Sequence, residues 1–232
     1  MYYQCSGCMG PVIMCGRFTL VASNEELQSH FGLQQNAAFK PRYNIAPGEP
    51  IPVVRAKGQL GFLNWGFIPA WLKIDATHQG WINARSETVT EKAAFRQAFL
   101  KRRCLIPATG YYEWKALDAI KQPFHIHLEK NQIFAFAAIW EARQKEDGQM
   151  EETCAILTQA AEGDLARIHE RMPLIITPDQ YEQWLSPLKS QEKNLLSFIN
   201  PLKSQSLKVY PVSTKVNLAN FESLECIQAL NN

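Results

Sequence analysis

Between residues 124 and 157 the chain reads FHIHL (Phe124–Leu128), IFAFAAI (Ile133–Ile139) and TCAIL (Thr153–Leu157), separated by the polar stretches EKNQ and WEARQKEDGQMEE. Runs this short and this rich in β-branched and aromatic residues favour strands, and polar turns between them fit an antiparallel meander around a central core. Upstream, Thr90–Leu100 (TEKAAFRQAFL) places Ala94, Phe95, Ala98 and Phe99 on one helical face, ahead of a strand at Cys104–Ile106. Cys15–Val21 reads as a strand and Ser23–Phe31 as a capped helix. Lys40–Pro52 (KPRYNIAPGEPIP) holds four prolines, so a shaped loop is expected there, leading into a strand at Ile51–Arg55. Gly61–Trp71 reads as a strand ending in an irregular turn, and Ile82–Ala84 as an exposed connection. Downstream, Glu162–Ile168, Pro178–Trp184 and Gln191–Phe198 read as short helical pieces, Leu207–Pro211 as a strand, and the chain after Asn220 as a short helix. The sum is an α+β fold: one domain with a mainly antiparallel sheet or barrel-like core and flanking helices.

The composition bounds the function. At 232 residues, with 46% hydrophobic and 20% charged residues, the chain can bury a core, and this excludes a mainly disordered protein. No apolar run approaches the ~20 residues of a membrane span, so no membrane partner and a cytoplasmic location are expected. Twenty-four Lys and Arg against 22 Asp and Glu leave a formal charge of +2, so any nucleic-acid site must be local. The cysteines at 5, 8, 15, 104, 154 and 226 come without a signal-peptide pattern and read as thiols. Residues 1–14 (MYYQCSGCMGPVIM) fit poorly with the rest of the chain, and Met14 stands directly before Cys15. The expected division is a prefix of residues 1–14 (a tag, a propeptide or an overextended start) and a domain at 15–232. No dinucleotide fingerprint or phosphate-binding loop is present, and no cofactor is expected.

Several residues could carry chemistry. Were Cys15 the first residue, its amine and thiol would form an exposed 1,2-aminothiol, whose target is an aldehyde: the amine makes an imine and sulfur closes a thiazolidine. The plain alternative is a small buried thiol. Glu113, within Gly110-Tyr111-Tyr112-Glu113-Trp114, is either a general base whose pKa the aromatics raise or a solvated carboxylate in a turn. His169 is a proton shuttle or a structural histidine. Arg17 and Arg85 are phosphate clamps or salt-bridge partners, and Asn83 holds a sugar oxygen or makes an Asx turn. Trp65, Trp71 and Trp81 stack on bases or pack in the core. Cys5 and Cys8 form a CxxC without a second pair, and alternation puts His125 and His127 on one strand face without a third ligand, so no metal site is expected.

Taken together, CGRF (Cys15–Phe18), YNIAP (Tyr43–Pro47), WGFIPAW (Trp65–Trp71), NARSET (Asn83–Thr88), RRCLIPATGYYEW (Arg102–Trp114), HERMP (His169–Pro173) and YPVSTKVN (Tyr210–Asn217) closely resemble the SRAP family, which crosslinks abasic sites in single-stranded DNA. The resemblance implies that Cys15, freed of residues 1–14, forms a thiazolidine with the ring-opened sugar. It also implies that Glu113 orients and deprotonates the Cys15 amine, His169 promotes ring opening, and Asn83 holds the sugar. Abasic-site lyase activity and self-processing are implied as well. By the same resemblance Arg17, Asn44, Pro47, Trp65, Gly66, Trp71, Arg85 and Ser86 would face DNA. The implied partner is single-stranded DNA containing an abasic site, including single-strand/double-strand junctions, bound by a monomer that is nucleoid-associated in a bacterium. The competing readings are a non-covalent single-stranded DNA-binding protein and a thiol peptidase using Cys15 and His169.

Overall fold

A computed structural model describes residues 15–34, 39–73, 80–117, 120–129, 132–187, 195–199 and 201–230. In chain order the strands are β1 (Arg17–Leu20), β2 (Arg42–Ile45), β3 (Pro50–Arg55), β4 (Gln59–Trp65), β5 (Asn83–Arg85), β6 (Arg103–Ala108) and β7 (Gly110–Leu117). They continue with β8 (Ile120–Leu128), β9 (Phe134–Gln144), β10 (Met150–Ala160), β11 (Arg171–Pro173), β12 (Ile175–Ile176) and β13 (Leu207–Pro211). The α-helices are α1 (Asn24–Phe31), α2 (Ala93–Lys101), α3 (Tyr181–Leu185) and α4 (Leu195–Phe198).

Five strands pair in the order β10-β4-β3-β6-β9, and β9 pairs again with β10, so this sheet closes into a barrel-like ring without free edges among those strands. Strand β6 is buried along its whole length, including Pro107, and Phe134–Ile139 of β9 are buried too. One face of these strands fills the ring while α2 and α3 cover the other, which is why their sequences read as nearly continuous apolar runs. Trp184 of α3 is fully buried, donates its indole N–H to the Cys104 carbonyl (2.9 Å), and meets Phe99 edge-on. The Arg103 guanidinium, also buried, donates to the carbonyls of Phe99 and Trp184 (both 2.7 Å) and of Ser186. It thereby satisfies carbonyls left open at the ends of α2 and α3.

The second sheet runs β13-β8-β7-β1-β2. Its inner face packs on the ring: Phe18 meets Trp65 edge-on at 5.3 Å and Phe136 at 5.8 Å. Its outer face carries a smaller cluster of Tyr112, Val212, Val216 and Cys226, flanked by Tyr43, Trp114 and Phe221. Helix α1 begins in a capping box, with the Ser23 hydroxyl accepting from Glu26 N (3.1 Å) and the Glu26 carboxylate from Ser23 N (2.7 Å).

The architecture is the expected α+β domain with a mostly antiparallel, barrel-like core, but the connections differ in places. The apolar runs at 124–128, 134–139 and 153–157 are all in strands, with Ile133 just ahead of β9, yet β8 belongs to the second sheet while β9 and β10 belong to the ring. They therefore span two layers rather than forming one meander. Strand β10 pairs in parallel with β4 and β5, so the segment read as an exposed connection at Ile82–Ala84 leads into a strand. Within the proline-rich segment, Arg42–Ile45 is a strand because Pro41 and Pro47 lie outside it, leaving four residues free to pair with β1. Short 3-10 turns replace α-helix at Gly163–Arg167 and Leu224–Ile227. The prefix and residues 191–194 of an expected helix lie outside the described residues. Among the described residues, no helix is long and apolar enough to cross a membrane.

Candidate active site

The pairing of β1 with β7 runs Thr19↔Gly110, Phe18↔Tyr111 and Arg17↔Tyr112, and stops there. Cys15 lies beyond the last rung with φ 41°, in the left-handed region. Alternation along β7 turns Tyr111 and Glu113 inward and Tyr112 and Trp114 outward. Glu113 is thereby carried to Cys15: its Oε1 accepts hydrogen bonds from both the Cys15 nitrogen and the Cys15 Sγ, each at 2.9 Å. Both residues are 2% exposed. Burial holds the Glu113 carboxyl above the ordinary carboxylate range, opposed by the bonds from Cys15 and by the nearby charge of His169. Burial likewise pushes the Cys15 thiol well up, assisted by the Glu113 charge and hydrogen bond and opposed by Arg171. A carboxyl raised in this way can take a proton from the sulfur it touches, and from the nitrogen only where that nitrogen is a free amine.

His169 follows the 3-10 turn Gly163–Arg167, and its backbone N–H bonds to the Leu165 carbonyl at 3.0 Å. Its Nδ1 lies 3.0 Å from the Arg171 backbone nitrogen and 3.4 Å from the Arg171 carbonyl, which fixes the ring against the start of β11. Asn83, half-buried, and Arg85, exposed, stand on β5, which the parallel pairing Thr158↔Arg85 sets beside β10. Ser86 N donates to the Thr158 carbonyl at 2.9 Å, tying the next residue to the same strand. Among the described residues, Arg85 forms no ion pair.

Other expected DNA-facing residues are placed differently. Trp65 is fully buried and gives its indole N–H to the Ile82 carbonyl (2.9 Å), so it has no face on which a base could stack. Asn44 is also fully buried: its amide nitrogen faces the carbonyls of Val216, Leu218 and Phe221, and its oxygen accepts from Arg17 at 2.9 Å. In both residues apolar packing and backbone carbonyls occupy the polar groups and faces of the side chain. Arg17 is partly buried, and it donates to the Val216 and Asn217 carbonyls at 2.6 and 3.2 Å. Gly66 is buried, donating its N–H to the Cys154 carbonyl, and Pro47 is half-buried in the turn whose Gly48 N–H bonds to the Trp65 carbonyl. Trp71, by contrast, is 66% exposed.

Sequence reasoning passed over Glu87 and Arg171. The buried Arg171 makes a forked ion pair with Glu87 (2.6 and 2.8 Å) and donates to the Thr158 carbonyl at 2.7 Å. The hydrogen bonds from Arg171 pull the Glu87 pKa down. Both residues lie inside the NARSET and HERMP blocks, but their 84-residue separation hides the pairing from any local reading. His125 is buried under Tyr210, whose hydroxyl lies 3.0 Å from Nδ1, and burial drives its pKa down to about 3. Among the described residues, no group of three His, Cys, Asp or Glu could hold a metal ion. Cys5 and Cys8 lie outside the described residues.

The chain is 37% identical over 225 residues to the abasic site processing protein YoaM of Bacillus subtilis, covering 94% of this chain and 99% of that one. It is 28% identical to the abasic site processing protein YedK of Escherichia coli, covering 93% and 99%. A solved protein from Bacteroides thetaiotaomicron superimposes with a TM-score of 0.84 at 26% identity, over 94% of this chain and all of the other. The family model described as SOS response associated peptidase (SRAP) matches residues 14–219, and the chain therefore belongs to the SRAP family.

Proposed function

We propose that this protein processes abasic sites in single-stranded DNA by covalent capture at Cys15. The observation that carries the reading is the single carboxylate oxygen of Glu113 lying 2.9 Å from both the nitrogen and the sulfur of Cys15. The substrate is an abasic deoxyribose opened to its aldehyde. Glu113 removes a proton from the Cys15 ammonium, and the free amine adds to the aldehyde carbon. The carbinolamine then loses water, Glu113 returning its proton to the departing hydroxyl and taking up the remaining N–H proton, to leave an imine. Addition of Sγ to the imine carbon, with the thiol proton passing to nitrogen, closes the five-membered thiazolidine. The balance is one aldehyde plus one aminothiol giving one thiazolidine and one water. If the imine instead loses the proton next to its carbon, the 3′ phosphate is expelled and the strand breaks, which is lyase chemistry.

In this reading His169 moves protons during ring opening, and Asn83 holds the opened sugar. Arg85 binds backbone phosphate, with Arg17, Pro47, Gly66 and Ser86 shaping the adjacent surface, and Trp71 stacks on a base beside the lesion. A single strand is favoured because the sugar is already unstacked and unpaired, including at junctions with duplex. The Cys15 nitrogen can act only as an amine, so residues 1–14 must be absent from the reacting species, through initiation at Met14 with loss of that methionine or through hydrolysis after Met14. Self-processing by Glu113 and Cys15 would accomplish the latter. The test is incubation of the expressed protein with a single-stranded oligonucleotide bearing one abasic site, followed by a denaturing gel and intact mass. A retained adduct on a chain beginning at Cys15, lost in Cys15→Ala, is expected. An equally stable adduct in Cys15→Ala, or an adduct that retains residues 1–14, would refute the mechanism.

A further inference from the structure

The strand that carries Cys15 has little to hold its end. Its ladder with β7 stops at Arg17↔Tyr112, its pairing with β2 is irregular between Phe18 and Leu20, and Cys15 itself turns away with φ 41°. On the opposite face of the sheet, side chains from both strands converge on two consecutive residues. Arg17, two residues from Cys15, donates to the carbonyls of Val216 and Asn217. Trp114, next to Glu113, donates its indole N–H to Asn217 Oδ1 at 2.7 Å. Asn44 adds a third strand, β2, through its bonds to Arg17 and to the Val216 carbonyl. The 3-10 turn Thr214–Asn217 that presents these acceptors is seated by the buried Val216 against Tyr112.

We infer that Val216–Asn217 is a clamp that fixes the spacing of β1 and β7 from behind, and that Asn217 is a positioning residue for Cys15 and Glu113. The inference rests on the capture chemistry proposed above for its consequence in rate, but not for its geometry. A carboxylate oxygen shared between two atoms of Cys15 tolerates little sliding of one strand past the other, and misplacement of reacting groups by about 1 Å costs up to about a hundredfold in rate. Two long-range anchors on adjoining residues restrict that sliding without touching the reacting atoms.

The test uses the expressed full chain and three variants, Asn217→Ala, Asn217→Asp and Trp114→Phe, with two readouts. The first is alkylation by iodoacetamide, resolved by peptide mapping, taken as the ratio of Cys15 to Cys104 modification. Cys104 is buried in the ring, so global unfolding exposes both thiols whereas loosening of the clamp exposes Cys15 alone. The ratio should rise about tenfold in Asn217→Ala and Trp114→Phe, return toward the parent value in Asn217→Asp, which keeps an acceptor, and rise no further in the Trp114→Phe/Asn217→Ala double variant. The second readout is adduct formation with abasic DNA, where the rate at saturating DNA should fall about tenfold while the half-saturating concentration stays fixed. An unchanged alkylation ratio, failure of Asn217→Asp to restore it, or a defect confined to half-saturation would overturn the clamp. If the parent protein forms no adduct, the proposed function fails, and the alkylation ratio still decides the clamp.

Discussion

Replacing Glu113 by Gln keeps the shape of the site and removes its base. The amide oxygen can stay where Oε1 accepts from Cys15 N and Sγ, so both 2.9 Å contacts survive as neutral hydrogen bonds, each weaker by about 1 kcal/mol than a charge-assisted one. The amide nitrogen falls where Oε2 is buried without a partner, and an unsatisfied donor there costs about 1–3 kcal/mol. Removal of a buried carboxylate acts in the opposite direction, because burial holds the Glu113 pKa above its ordinary value. That direction sets the sign of the pH effect. The unfolded chain loses this proton near its ordinary pKa of about 4.3, whereas the native chain keeps it to higher pH. Native stability attached to this group is therefore complete below the unfolded pKa and is lost as pH rises through the folded one. Glu113→Gln has no such loss, so its melting temperature should gain on that of the parent protein from pH 4 upward and then run parallel. Adduct formation should fall by about 10²–10⁴, or about 2.7–5.5 kcal/mol, as expected for a missing general base. Thermal melts across pH 4–8 and a denaturing-gel time course measure the two effects. An adduct rate within threefold of the parent at every pH would remove Glu113 from the proton transfers, and melting curves that never diverge would refute its raised pKa.

Arg85→Ala should weaken single-stranded DNA binding in fluorescence anisotropy and lower the slope of log affinity against log salt by about one, with the adduct rate at saturating DNA unchanged. Trp71→Ala should cost about 1–3 kcal/mol in binding with no change in melting temperature, since the ring is 66% exposed; an unchanged affinity would show that no base stacks there. Gly110→Ala should destabilise the fold by about 1–3 kcal/mol in urea titration, because the added Cβ would clash with the His125 ring and lie 3.0 Å from Thr19 Oγ1, and His125→Ala in the same chain should recover part of the loss.

The sequence was most legible where a residue's neighbours in the chain settle its state. The cap at the head of Ser23–Phe31 announced the start of α1, to which the structure adds a capping box with Glu26, and the apolar face of Thr90–Leu100 announced α2. It was least legible where tertiary pairing decides. Asn83–Arg85 has no strand signature of its own and becomes one because Ile156–Thr158 lies alongside. In the site, the motif blocks pointed to Cys15, Glu113 and His169, and the first two meet across 98 residues. A motif names a residue without saying which way it faces. Trp65 and Trp71 stand in one aromatic block, yet one is sealed beneath Ile82 while the other projects into solvent. Arg17 has the guanidinium fork that suits phosphate, and the same fork suits a pair of backbone carbonyls.

The contacts between Arg17 and Val216–Asn217 span about 200 residues of chain. Contacts that distant in sequence form late, both in a refolding chain and on a ribosome, where the N-terminal part emerges first. During synthesis β1 is thus made almost at once, but its contacts with Val216 and Asn217 wait until residue 217 has emerged. An unfinished chain therefore carries the Cys15 thiol before the turn that braces β1 from behind has been made, so the contact of Cys15 with Glu113 gains its full support only when synthesis has passed that point.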